Sequence, residues 1–153
     1  MKVNEVMTSE PRTCTPDMTV ADAAHQMWAG DCGVLPVVDD GELVGVVTDR
    51  DMYMALATRN EHAAWLKVGA VMTRNVVTGK ADDDLTTALQ RMGEARVHRL
   101  PIVEADGSLV GILSMNDVVR VAGTASGPRT DEALAALRAI CGPRRRARRR
   151  SAA

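Results

Sequence analysis

Residues 35–51, LPVVDDGELVGVVTDRD, return as residues 100–117, LPIVEADGSLVGILSMND. Each copy is a short apolar run, an acidic turn with glycine, a second apolar run, then Thr or Ser three residues ahead of Asp. Such a duplication constrains the fold strongly. Whatever one copy builds the chain builds twice, and two small units must pack together to bury enough surface. The match extends upstream. VMT at 6–8 repeats as VMT at 71–73, and Thr13 with Thr78, Met27 with Met92 and Pro36 with Pro101 keep one offset of 65 residues. The second turn is one residue longer, so the offset becomes 66 and pairs Gly45 with Gly111 and Asp51 with Asp117. An insertion confined to a turn is what two copies of one fold tolerate.

The local patterns predict the elements. Thr19, with Asp22 three residues on, opens a helix carrying Val20, Ala23, Ala24 and Met27 on one face, ended by Gly30 or Asp31. Asp84 is the expected cap of its counterpart, with Leu85, Ala88, Leu89 and Met92 as the face and Gly93 weakening the end. Strands are expected over 34–38, 43–47, 97–103 and 109–113, turned by glycine after aspartate. Thr48 and Ser114 are expected N-caps of helices over 49 to about 57 and 115 to about 121. With strands starting at Thr13 and Thr78, each copy reads strand–helix–strand–strand–helix. The fold class is α/β (α+β), two repeated units packed with pseudo-two-fold symmetry. The expected divisions are a first unit over 1–58, a polar linker over 59–67 pinned by Trp65, and a second unit over 68–122. A linker and short helix follow over 123–141, capped by Thr130 and apolar at 134, 137, 140 and 141. An Arg-rich tail over 142–153 is expected to be disordered.

Composition excludes several function classes. Apolar residues make up 46% of the 153, but the aromatics are only Trp28, Trp65 and Tyr53, so the core falls to Val, Leu, Ile, Ala and Met. No apolar run is long enough to cross a bilayer, and the first residues lack a signal peptide's apolar region; the expected location is cytoplasmic. Cys14, Cys32 and Cys141 are odd in number and far apart, which argues against a disulfide framework or a zinc knuckle. His25, His62 and His98 are scattered, and no metal site is expected. No nucleophile elbow, dinucleotide fingerprint or Walker lysine is present, and Asp82, Asp83 and Asp84 read as helix caps, so no catalytic residue is assigned and no enzyme is expected. Residues 1–141 carry 13 basic and 20 acidic side chains; residues 142–153 carry six Arg and no acid. A nucleic-acid interaction could rest only on that tail, which has no aromatic residue for base stacking.

The chemistry-bearing pattern is the pair Thr48 with Asp51 and Ser114 with Asp117. At a strand-to-helix junction the amides are unpaired, and with a capping hydroxyl they can seat a phosphate. An aspartate one turn on can accept hydrogen bonds from a ribose diol. The same residues also satisfy a plain capping box, and both readings stay open. Arg50 could pair with a phosphate or stay solvated. Met115 and Asn116 replace Asp49 and Arg50 in the second copy, so the two sites differ.

Taken together, VMT, the Thr13 and Thr78 strand starts, TVADAAHQM and the two LP…D stretches resemble a tandem pair of cystathionine-β-synthase (CBS) domains, a Bateman module standing alone. The resemblance covers about residues 1–121. It implies a non-catalytic regulatory module that binds AMP, ADP, ATP or S-adenosylmethionine as regulatory ligand in clefts between the domains, with no cofactor required. By motif position, phosphate and ribose contacts fall on Thr48 and Asp51 and on Ser114 and Asp117. Residues ahead of the LP strands would line the clefts: Gly33 and Val34, then His98 and Arg99. Candidates for an adenine slot are Arg12, Thr13, Val34 and Pro36 in copy one and Val77, Thr78, His98 and Pro101 in copy two. Pro36 and Pro101 could equally mark strand edges. The cleft closed by Thr48, Arg50 and Asp51 is expected to be the selective one, suited to a polyphosphate or charged nucleotide, while the second could hold adenosine, a weaker ligand or nothing. The resemblance further implies a homodimer formed through helices, and an unidentified protein partner that reads the ligand-induced change. Two other readings remain: a nucleic-acid-associated protein acting through the tail, and a structural or stress-response dimer with empty clefts.

Overall fold

The structure, a computed structural model, describes residues 1–142. The tail at 143–153 lies outside the described residues, and with it nearly all of the segment expected to be disordered. The first unit contains α1 (Val20–Ala29), β2 (Val34–Asp39), β3 (Glu42–Thr48) and α2 (Asp49–Arg59), preceded by the two-residue β1 (Thr8–Ser9). The second contains α3 (Leu85–Ala95), β4 (Arg99–Val103), β5 (Leu109–Ser114) and α4 (Met115–Val121), and α5 (Thr130–Cys141) follows. Single 3-10 turns at Val3–Glu5 and Val68–Ala70 precede the units. This is the mixed α/β pair of repeated units expected from the duplication.

Each hairpin is antiparallel and its turn glycine has positive φ, 87° at both Gly41 and Gly107. The strand that should lead each unit is reduced to one parallel bridge. Cys14 bridges Val37, and Gly79 bridges Ile102. The Cys14 and Gly79 amides donate to the carbonyls of Pro36 and Pro101, at 3.0 and 2.9 Å. These carbonyls lie on the strand side away from the hairpin partner, so the prolines face the margin, where a missing N–H disturbs least.

Two apolar clusters form, and the approach segments are exchanged between them. Val3 is buried with Leu85, Leu89, Leu100, Ile102 and Leu113 of the second unit. Leu66 and Val68 are buried with Val20, Leu35, Val37 and Val47 of the first. Backbone pairing repeats the exchange. Thr8 and Ser9 of β1 pair with Ile112 and Gly111 of β5, while Thr73 bridges Val46 of β3. The first amide of α3 donates to Met1 O at 3.0 Å, and that of α1 to Leu66 O at 2.8 Å.

This exchange changes several local expectations. Asp84 does not cap α3 with its side chain. Its carboxylate takes the Lys2 ammonium at 2.9 Å, a bond that holds the carboxyl below its ordinary range. Trp65 does not pin the linker. It is 78% exposed against His62, and its neighbour Leu66 is the anchor. Val97 lies outside β4, because Arg96 turns left-handed (φ 56°) and the Val97 amide donates back to Met92 O at 3.0 Å. Gly93 lies inside α3, which runs two residues further, to Ala95. Thr130 is the first residue of α5 rather than its cap; the Arg129 amide donates to Glu132 at 2.9 Å. The buried face of α5 is Ala133, Ala136 and Ile140, while Leu134 and Cys141 are exposed.

Candidate functional site

The two Thr/Ser-x-x-Asp stretches form matched structures. Thr48 ends β3 in extended backbone and α2 begins at the next residue, so its hydroxyl lies over the open turn. The Asp51 amide donates to Thr48 Oγ1 at 3.1 Å. In return Asp51 Oδ2 accepts the Thr48 hydroxyl at 2.7 Å and its amide at 3.0 Å. In the second unit the Asp117 amide donates to Ser114 Oγ at 3.2 Å, and Asp117 Oδ2 accepts the Ser114 hydroxyl at 2.6 Å and amide at 2.9 Å. Both are therefore capping boxes. One carboxylate oxygen of each aspartate is consumed, leaving Oδ1 as the outward acceptor. In the second unit Arg120 stands 3.8 Å from that oxygen.

The hairpin registers bring other candidates alongside. Val34 lies opposite Thr48 and Pro36 opposite Val46; Arg99 lies opposite Ser114 and Pro101 opposite Ile112. Alternation along a strand puts Val34, Pro36, Val46 and Thr48 on one face, opposite the core residues Leu35, Val37 and Val47. Arg99, Pro101, Ile112 and Ser114 form the equivalent face, opposite Leu100, Ile102 and Leu113. Thr13 and Thr78 are half-buried, one residue before the parallel bridges, and the Thr78 carbonyl accepts from Arg91 at 2.9 Å. Pro36 and Pro101 are buried, whereas Arg12, Arg50, Val77 and His98 are exposed.

The junctions differ in one respect that spacing did not reveal. The first amide of each following helix is satisfied alike, Asp49 N donating to Gly33 O at 3.1 Å and Met115 N to His98 O at 2.9 Å. The second amide of α2, Arg50 N, donates to the Asp49 carboxylate at 2.7 Å. That carboxylate lies over Gly33: a Cβ there would stand 2.8 Å from Asp49 Oδ2. The first unit thus seats its own anion where a phosphate was expected. The second unit has Met115 in that place, buried, and carries Arg99 opposite Ser114 on the strand face turned away from the core.

Gly45 and Gly111 are positions whose role the sequence left unread. A Cβ on Gly45 would lie 2.9 Å from both Thr73 O and Met72 Sδ. One on Gly111 would lie 2.5 Å from Met7 Sδ and 3.1 Å from Thr8 O. The crossing approach segments need bare backbone at these points. The signal was present as glycine matched across the repeat beside matched VMT triplets, but only the exchange connects them.

The CBS domain family model matches residues 3–58 and 68–123. An inosine-5'-monophosphate dehydrogenase of Methanocaldococcus jannaschii is 35% identical over 143 residues, 93% of this chain; the chain spans 28% of that relative's length. Among solved structures, the CBS domain pair of protein MJ0100, in complex with 5'-methylthioadenosine and S-adenosyl-L-methionine, is 27% identical. It aligns with a TM-score of 0.72 over 79% of this chain and 94% of its own. CBSX2 in complex with AMP is 31% identical, with a TM-score of 0.68 over 78% of this chain and 94% of its own.

Proposed function

The chain belongs to the CBS domain family as a tandem pair, and from this premise we propose that it is a non-catalytic regulatory module binding an adenosine-containing ligand between its units. The observation that carries the reading is the pair of matched junctions. Each presents a hydroxyl and a half-used aspartate beside a strand face that is not part of either core. Structures similar to this chain hold S-adenosylmethionine, methylthioadenosine or AMP. In this reading Asp51 and Asp117 accept the ribose hydroxyls through Oδ1, and Val34 and Pro36, with Thr13, Thr78 and Pro101, flank the base. The module works in the cytoplasm as a homodimer, and a protein partner reads the change in domain angle on binding.

The two clefts take different ligands. Asp49, Asp51 and Arg50 leave the first with excess negative charge, which disfavours the polyphosphate expected from sequence and suits an adenosyl group without phosphate. Arg99 makes the second cleft the one for AMP, since a guanidinium pairs well with phosphate. Calorimetric titration tests this. AMP binding should weaken at least tenfold in Arg99→Ala and in Asp117→Ala, and S-adenosylmethionine binding in Asp51→Ala, with circular dichroism confirming that each variant folds. If none of AMP, ADP, ATP and S-adenosylmethionine binds the wild type, the ligand-binding reading is wrong. If AMP depends on Asp51 rather than Asp117, only the assignment of clefts is.

A further inference from the structure

The body of the chain is acidic in total, but arginines collect at one end of the second unit. Three segments meet there. The turn from α3 into β4 carries Arg96, His98 and Arg99. The first amide of α4 donates to His98 O at 2.9 Å, which joins that turn to the helix bearing Arg120. The end of α5 completes the group: a Cβ on Gly142 would lie 3.8 Å from Arg96 Nη2 and 3.0 Å from Arg138 O. Arg120 and Arg138 are exposed. Ala133, Ala136 and Ile140 fix α5 in this place, buried in one cluster with Leu89 and Met92 of α3 and Met115 and Val118 of α4. In the first unit the counterparts of those four residues, Ala24, Met27, Asp49 and Met52, line an open groove.

The same end of the first unit has the opposite charge. Arg96 and Asp31 hold the matched left-handed position after their helices, with φ 56° and 47°. Arg99 corresponds to Val34, Arg120 to Met54 and Met115 to Asp49; Asn116 opposite Arg50 is the one exchange that runs the other way. The acids near the basic end are Glu94 and Asp117, and Asp117 spends one oxygen in its capping box. Six further arginines lie among residues 143–153, and the chain enters that stretch at Gly142, beside Arg96.

We propose that this end of the second unit, with the arginines that follow it, binds nucleic acid through the phosphodiester backbone and without reading base sequence. The cations are arginines apart from His98, and a guanidinium fork pairs with two oxygens of one phosphate. A series of guanidiniums calls for a partner with a series of phosphates, which a single nucleotide does not supply. The group includes none of the chain's aromatic residues, Trp28, Tyr53 and Trp65, so bases have no side chain to stack on. A lipid surface fits less well, because residues 143–153 hold no apolar side chain large enough to enter it. The surface is independent of an adenosyl ligand and shares only Arg99 with the site proposed for one.

Fluorescence anisotropy on the full chain tests the assignment, with labelled DNA duplexes of two unrelated sequences at about 50 to 200 mM salt. The two duplexes should bind alike. The plot of log K against log salt should have a slope of about −5 or steeper, as six contacted phosphates give. Arg120→Ala and Arg138→Ala should each weaken both duplexes equally and reduce the slope by about one. Deleting residues 143–153 should reduce it further. Arg129→Ala should leave it unchanged, because that guanidinium is already paired with Asp131 at 2.7 Å, at the other end of α5. Circular dichroism checks that each variant is folded. Absence of binding at the lowest salt, a tenfold preference for one sequence, or binding to phosphatidylglycerol vesicles but not to duplex overturns the proposal. Slopes unchanged in Arg120→Ala and Arg138→Ala overturn the surface on the folded unit, whether or not the deletion abolishes binding. AMP titrated into Arg138→Ala should bind as it does to the wild type, so the regulatory reading stands or falls separately.

Discussion

A methyl group added at Gly45 has nowhere to go between Thr73 O and Met72 Sδ, and one at Gly111 meets Met7 and Thr8 in the same way. Gly45→Ala and Gly111→Ala should each destabilise the protein by about 1–3 kcal/mol, the usual penalty for overpacking, seen as a lower urea midpoint with unchanged slope. The capping boxes predict a second effect. Thr48→Ala and Ser114→Ala should each cost about 0.5–2 kcal/mol without any ligand, so stability measured in the ligand-free protein separates the cap from the site. A third concerns Cys14, whose thiol is pushed up to about 11 by burial. The folded state keeps the proton that an unfolded thiol releases near pH 9, so this contribution to stability is intact below pH 9 and lost as pH rises toward 11. Native-state alkylation should accordingly label the exposed Cys141 at pH 8 and spare Cys14. At this scale the sequence disclosed the junction residues, because hydroxyl and carboxylate three apart is a local rule. It did not disclose that Asp49 turns back over Gly33, since that depends on a glycine sixteen residues away.

The approach segments are the elements on which the fold turns. Residues 1–9 contribute more to the second unit than to the first, through the Val3 side chain, the pairing of β1 with β5 and the bond from Leu85 N to Met1 O. Val3→Ala should therefore destabilise by about 1.5–3 kcal/mol, the value of a fully buried valine, although it is the third residue of the chain. Chemical denaturation checks this, and a change within 0.5 kcal/mol would contradict it. Helices α1 to α4 and both hairpins were legible because their periodicity and turn residues act over a few positions. The leading strands were not. The segments at Thr13 and Thr78 each reach only one bridge, at the next residue, before the chain turns into the next helix. Alternation cannot distinguish a paired strand from an extended run that lacks a partner.

Each apolar cluster contains residues from the other copy's lead-in, so neither can dissolve alone without exposing part of its neighbour. The whole molecule should unfold in one transition. In calorimetry the van't Hoff and calorimetric enthalpies should agree, and two resolved peaks would show that the units are independent. A ligand that binds only the folded state should raise that single midpoint with concentration.

The sequence by itself determined the duplication, the order of helices and hairpins, the turn glycines, the two capping boxes and the membership of the family. All of these rest on patterns that repeat or act within a few residues. Only the tertiary structure decided which core each lead-in enters, why Gly45 and Gly111 are bare, and that the Asp49 carboxylate turns back over Gly33. It also decided that α5 covers one helix face and leaves its twin open. These depend on contacts between residues tens of positions apart, and a residue's type does not name its distant partner.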